Sequence, residues 1–320
     1  MESPRGGSIL WEVNVAALDL GSNSFHLLVA RVGALGRIEK LGSAKRTPRL
    51  GESVAATGVI PPEAFRTALD AVGELATEAR RYPIDRMVTV GTSALRDAEN
   101  GDDFVRAARA RHGVHVELLS GTDEGRLVYE GARARLEAVP RRLVVLDLGG
   151  GSLEVALGEG AGATHVESLP LGFLRVAHTL DARGSMNERL RARVFEHVQN
   201  LGTSLNERLA AAAPEAWIFS GGMARAAANL AGTKPGEAMS GAALLRLAER
   251  TAELEPNRLV GLGVAPERAR NFALGITLLA AVTDLFRIPA LRVSPGGIRE
   301  GLVLRERFWA LSELQPITAA

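Results

Sequence analysis

The 320-residue sequence contains no cysteine. That excludes disulfides, thiolate nucleophiles and cysteine-built zinc sites. Aromatic residues make up only 4% of the chain, too few for the stacking platforms of single-strand nucleic-acid binders. An excess of either charge is also missing. Lys and Arg number 38 against 37 Asp and Glu, a net charge of +1, which argues against a dedicated nucleic-acid partner. The six histidines show no ligand-type spacing. No apolar run is long enough for a bilayer; the longest, 272–286, is interrupted by Thr277, Thr283 and Asp284 and reads as a buried helix. The first residues, MESPRGGS, carry no apolar signal region. The expected partners therefore include neither nucleic acid nor membrane, and the expected compartment is the cytoplasm.

What is present is an apolar share of 46%, enough for substantial cores, in a length that suits two domains of about 150 residues each. The chain also repeats itself. VVLDLGGGSLEVAL (144–157) and AALDLGSNSFHLLVA (16–30) share Asp-Leu-Gly-x-x-Ser, Asp147 standing where Asp19 stands. One long offset indicates a duplicated domain rather than a short-period solenoid. In each copy, β-branched and leucine-rich residues predict a buried strand. The glycine cluster predicts a tight hairpin that backbone N–H groups turn into an anion nest. Phosphate would repel the aspartate at the strand end, so Asp19 and Asp147 are read as holding a metal or its waters.

Around these copies the pattern predicts strands at 13–20, 25–32, 36–44, 86–90, 114–119, 143–148, 152–157, 164–169, 216–219 and 291–294. It predicts helices from 62, 102–112, 120–138, 187–212, 224–230, 242–253, 266–287 and from about 299. The segment from Leu171 reads as the start of a mostly helical region. Pro140-Arg141-Arg142 reads as a domain junction, giving domains at 1–138 and 139–301, with a C-terminal helix at about 302–316 returning to the first. Lys45, Arg46 and Arg49 form a basic cluster that is either a solvated loop or a groove wall for an anion. Gly91-Thr92-Ser93 after a strand suits an anion site at a helix start, and Arg96 could fork onto phosphate oxygens. Glu124 in the first helical turn after Ser120 is either a dipole-favoured cap or a general base, which the helix N-terminus would keep ionised. Strand alternation puts Ser152 and Glu154 on one face, so Glu154 and Asp147 could share a divalent cation. Ser220-Gly221-Gly222 is a third glycine turn entering a helix.

These pieces in this order resemble the exopolyphosphatase / guanosine pentaphosphate phosphatase (Ppx/GppA) family, of the actin–hexokinase–Hsp70 superfamily. The resembling stretches are DLGSNSFHLLVA (19–30), VGTSALRDAEN (90–100), ELLSGTDEGRLVYEG (117–131), VVLDLGGGSLEVALGE (144–159), SLPLGFLRV (168–176), FSGGMARAAANL (219–230) and VSPGGIREGLVL (293–304). The resemblance implies an α/β fold of duplicated actin-like (ribonuclease H-like, ASKHA) domains, each with a five-stranded mixed sheet, closing on an interdomain cleft. It implies Glu124 as catalytic base. It implies Gly149, Gly150, Gly151 and Ser152, with Asp147 and Glu154, as a phosphate and Mg²⁺ (or Mn²⁺) loop. Gly21, Ser22, Asn23 and Ser24 form the matching first loop, and Arg96 joins the catalytic set. Thr92, Ser93, Gly221 and Gly222 complete the expected phosphate contacts. Homodimerisation is implied by resemblance alone.

Three departures stand out. Leu153 and Met223 occupy positions where the family usually has threonine, each removing a hydroxyl expected near the cleft. The sequence also stops soon after GIREGL, without the helical metal-dependent-phosphohydrolase-like domain of longer members. The leading expectation is an exopolyphosphatase that releases the terminal phosphate of polyphosphate. The alternatives are a phosphatase acting on guanosine pentaphosphate, a nucleotide-binding protein or sugar kinase of the same fold, and a degenerate member without activity.

Overall fold

A computed structural model describes residues 12–314, apart from 34, 161, 183–185 and 235, with side chains described to 307. The N-terminal MESPRGGS and residues 315–316 of the expected last helix lie outside the described residues.

The first sheet begins as a meander of β1 (Glu12–Leu20), β2 (Phe25–Gly33) and β3 (Ile38–Arg46). Two parallel strands follow on the other side of β1: β4 (Arg86–Gly91) and β5 (Val116–Leu118), giving the order β3-β2-β1-β4-β5. The second sheet repeats the plan. β6 (Arg142–Leu148), β7 (Leu153–Glu159) and β8 (Gly162–Leu169) form the meander, and β9 (Ala216–Ser220) and β11 (Ala290–Val293) run parallel beyond β6. The second sheet has six strands where the sequence pattern predicts five. The addition is β10 (Ala238–Ser240), three residues antiparallel to β11 and too short to show alternation.

Helices cover both faces of each sheet, so the strands read as apolar throughout. Alternation sorts their side chains with no exception among the central strands. Ala16, Leu18 and Leu20 of β1, with Phe25, Leu27 and Val29 of β2, pack in one core with α2 (Pro62–Ala79) and α4 (Gly101–His112). Val144, Leu146 and Leu148 of β6, with Leu153, Val155 and Leu157 of β7, pack in a second with α7 (Glu188–Ala212), α9 (Gly241–Thr251) and α11 (Pro266–Leu285). The opposite parity of both sheets shares a third core. Val13, Val15 and Ala17 join Leu143, Val145 and Ala156 there, with Leu127, Val128 and Tyr129 of α5 (Gly121–Arg133) and Leu302 and Val303 of α12 (Ile298–Leu314). Each large side chain fully buried this way contributes roughly 1.5–3 kcal/mol. α12 packs on α5, β1, β2 and β4, so the last described helix closes against the first sheet.

The 272–286 run lies in α11, where 13 residues are buried. No described helix is long and apolar enough to cross a membrane. α5 ends at Arg133 rather than 138. Two helices have no counterpart in the sequence pattern: α1 (Leu50–Thr57) and α10 (Pro256–Gly261).

Candidate active site

Parity decides which polar side chains reach the space between the sheets. In β1, Asp19 shares the parity of Val13, Val15 and Ala17. In β6, Asp147 shares that of Leu143 and Val145. Both therefore point to the shared-core side, at the open ends of their strands. Their cross-strand partners are His26 and Glu154 respectively. Here the sheets diverge into a cleft of about 170 Å³. One water needs roughly 10–15 Å³ on such a measure, so a row of small anionic groups can enter.

The loops expected from sequence all line this cleft. Gly21, Ser22, Asn23 and Ser24 connect β1 to β2; Gly149, Gly150, Gly151 and Ser152 connect β6 to β7. Thr92 and Ser93 start α3 (Ser93–Asp97), and Gly221 and Gly222 start α8 (Gly221–Leu230). The first loop is braced by α1, whose Gly51 N–H donates to the Ser22 carbonyl at 2.7 Å and whose cap Arg49 N–H donates to that of Asn23 at 3.2 Å. At Gly221 only glycine serves. Its φ is +87°, and a Cβ would stand 2.3 Å from Asp147 Oδ1. The third turn is thereby fitted onto the aspartate of the second.

Glu124 is set by its helix cap. Ser120 Oγ accepts from the Asp123 N–H at 3.1 Å, and the Glu124 N–H donates to the Ser120 carbonyl at 2.9 Å. Its side chain is 12% exposed and lines the cleft. Arg96 Nη1 donates to Glu124 Oε2 at 3.1 Å and to the Leu119 carbonyl at 2.8 Å. Arg96 and Glu154 are bonded around the cleft but are not among the residues lining it. Glu154, 2% exposed, accepts from Ser168 Oγ at 2.8 Å.

Burial governs the protonation of these acids, with mutual repulsion added. Asp19 is pushed up to about 7 by burial and by Asp147, against Arg299. Asp147 rises to about 6 through burial, against Arg225 and Arg299. Glu154 rises to about 7 through burial and Asp147, against its bonds from Ser152 and Ser168. Glu124 is pushed well above the carboxylate range by burial and then by Glu154, against Arg96. The expectation that the helix N-terminus keeps Glu124 ionised is therefore corrected: desolvation outweighs the helix end. Beside these acids, burial and the fields of Arg299, Lys45, Arg225 and Arg268 push His26 down to about 3, so it stays neutral.

The donor set suits a hard cation: four carboxylates, Glu154 buried and Asp19, Glu124 and Asp147 half-buried, repelling one another. No group of three or more His, Asp or Glu among the described residues is close enough to hold a metal unaided. Mg²⁺ commonly needs only one or two carboxylates and takes its other ligands from water and phosphate. One or two carboxylates from among Asp147, Glu154 and Asp19, with water and phosphate as the other ligands, would fit such an ion.

Of the two threonine replacements, only one concerns the cleft. Leu153 has the opposite parity to Ser152 and Glu154, is 1% exposed and packs in the second core. A threonine hydroxyl there would not have reached the cleft, which corrects the sequence reading. Met223 does line the cleft and packs on α11, where a Cβ on Gly275 would stand 2.3 Å from Met223 Cε.

Sequence reasoning assigned no role to Arg225, Arg268, Asn271, Arg299 or His26, all of which line the cleft. A usable signal existed for two of them. Arg225 follows Gly221-Gly222 by one helical turn, and Arg299 follows Gly296-Gly297 directly into α12.

Known proteins resemble this chain in sequence and in fold. A Haemophilus influenzae protein named "Putative exopolyphosphatase" is 28% identical over 313 residues, 95% of each chain. A Photobacterium profundum protein named guanosine-5'-triphosphate,3'-diphosphate pyrophosphatase is 30% identical over 295 residues, 90% of this chain and 58% of that one. The crystal structure of an exopolyphosphatase from Cytophaga hutchinsonii has the same fold, with a TM-score of 0.84 at 21% identity over 92% of this chain and 98% of that one. Residues 28–307 match the Ppx/GppA phosphatase family. That span takes in most of β2, all of β3, the whole second meander, the Glu124 cap and the α8 and α12 arginines, so the chain with its two actin-like domains belongs to the Ppx/GppA phosphatase family.

Proposed function

We propose that this phosphatase is an Mg²⁺-dependent exopolyphosphatase, with Glu124 as general base. The backbone N–H groups of the glycine turns hold the phosphate chain. Glu124 takes the proton from a water that attacks the terminal phosphorus. The P–O bond to the next phosphate breaks, orthophosphate forms, and the shortened chain leaves as the anion. A carboxyl raised towards neutrality is a better-matched base than an ordinary one. Arg96 acts by orienting Glu124, the group it is bonded to. Arg225 and Arg299 supply positive charge from α8 and α12. Asp147, Glu154 and Asp19 would hold the Mg²⁺ (or Mn²⁺), which when bound neutralises charge on the phosphate oxygens.

The observation that carries polyphosphate over a nucleotide is the lining of the cleft. Among its described residues Phe173 is the sole Phe, Tyr or Trp, beside three arginines and four glycine- or serine-rich turns. A phosphate chain needs cations and N–H groups, whereas a guanine base gains from a stacking surface. The Photobacterium relative supports the second reading, guanosine pentaphosphate. Phosphate release from polyphosphates of several lengths and from guanosine pentaphosphate, with and without Mg²⁺, tests both. The expected result is Mg²⁺-dependent release with a higher kcat/KM for polyphosphate. A higher value for the nucleotide reverses the ranking, and release from neither removes the reading.

A further inference from the structure

Lys45 lies next to the last residue of β3, and Glu267 in the first turn of α11. The Lys45 ammonium donates to Glu267 Oε1 at 2.6 Å, joining the first sheet to the helical layer of the second. Glu267 lines the cleft, as do its neighbours Arg268 and Asn271. The fields of Lys45, Arg225, Arg268 and Arg299 all reach His26, so four cations from four different elements converge on this part of the cleft.

The other carboxylates near this cluster have evident tasks. Glu300 accepts from the Gly297 N–H at 3.0 Å at the start of α12. Asp147 offsets Arg225. Glu267 is different: its bond to Lys45 is the main reason it stays below the ordinary carboxylate range. Stability does not account for the pair. Its side chains are 28% and 32% exposed, and such pairs contribute about 0–1 kcal/mol. An ionised carboxylate at this point also repels any incoming polyanion.

We infer that Lys45 is a binding residue for substrate phosphates beyond the reacting one, and that Glu267 is a stand-in anion that those phosphates displace. The inference rests on the polyanion reading above. The displaced carboxylate no longer neutralises Lys45, and the arriving chain does. A chain bearing several charges competes with Glu267 better than a lone orthophosphate, so the pair favours substrate over product.

The test uses Lys45→Met and Glu267→Gln in the full chain, assayed on tripolyphosphate and on a chain of tens of phosphates. KM for the long chain is expected to rise roughly two- to fivefold in Lys45→Met and to fall by a similar factor in Glu267→Gln, a scale set by one exposed charge contact. Lys45→Arg should restore most of the loss. A merely structural bridge would move both variants the same way and lower both melting temperatures. That outcome, or no movement of KM in either, overturns the inference. If the wild-type protein hydrolyses no polyanion, the functional reading fails separately. Calorimetric titration with tripolyphosphate then decides: opposed Kd shifts in the two variants retain Lys45 as an anion site, and any other pattern removes it.

Discussion

At the scale of single residues, the identity of Glu124 is legible in the sequence and its protonation is not. A helix cap can be read from Ser120 and the spacing to Glu124. Burial beneath two sheets cannot, and burial dominates the carboxyl. The prediction follows from the bond to Arg96. Glu124→Gln should lose at least ~10²-fold in kcat, the scale of a missing general base, while its melting temperature stays close to wild type. Arg96 lowers the Glu124 pKa through both its charge and its hydrogen bond. Removing that cation raises the pKa, and the base is then ionised only at higher pH. In Arg96→Met the acidic limb of the kcat/KM profile should move to higher pH. An unmoved limb would mean that another group takes the proton. For Arg225 and Arg299 the sequence carries only the glycine turns before them; that α8 and α12 bring both arginines to one cleft, beside Asp147 and Asp19, is visible only in the fold.

At the scale of elements, the buried strands and long helices are legible because their periodicity runs for many residues. The misses are short. α1 starts after Arg49, a non-glycine residue at φ 57° with no side-chain cap, so no start signal marks it. Nothing local marks the stop of α5 either; Arg135, Leu136, Glu137 and Ala138 are good helix formers, and the chain leaves the helix in time to enter β6. The α5–α12 crossing is the element on which the cleft most depends, because α12 carries Arg299 and Glu300. Glycines let the two backbones approach there: a Cβ on Gly131 would stand 1.9 Å from the Gly297 carbonyl oxygen, and one on Gly301 would stand 2.1 Å from that of Leu127. Gly131→Ala should destabilise by about 1–3 kcal/mol, the range for overpacking, with a further loss in kcat/KM as α12 is pushed back. Thermal melts and initial rates on the same preparation check this; a variant with wild-type melting and activity would show that the crossing yields freely.

At the scale of the whole molecule, the duplication was legible and the shared third core was not. Strand alternation gives two parities per sheet, but nothing in sequence says that one parity of each sheet meets the other across α5 and α12. That meeting draws Asp19, Asp147 and Glu154 together out of most of the solvent, which has a consequence for stability. An acid whose pKa is raised by folding binds its proton more tightly in the folded state. Its burial therefore costs nothing below the unfolded pKa of about 4, and the cost grows as pH rises through the folded value. For Asp147 that window ends at about 6. His26 acts in the opposite sense, losing stability as pH falls below about 6.5 towards its folded value of about 3. Comparing variants isolates the acid. With metal chelated, Asp147→Asn should gain on wild type by a few degrees in melting temperature between about pH 4 and about pH 8, and Mg²⁺ should close the gap by stabilising only wild type. A constant gap across that range would contradict the assignment of Asp147 as a strained buried acid.

The two glycine hairpins keep one register, in which Asp19 faces His26 and Asp147 faces Glu154. The two hairpins differ at the position opposite the aspartate, where one carries a neutral imidazole and the other a carboxyl. A linear polyphosphate has two identical ends and brings no direction of its own. On the reading proposed above, any direction in which the chain lies must come from the host, and the two hairpins offer one asymmetry for it in the residues that face their aspartates.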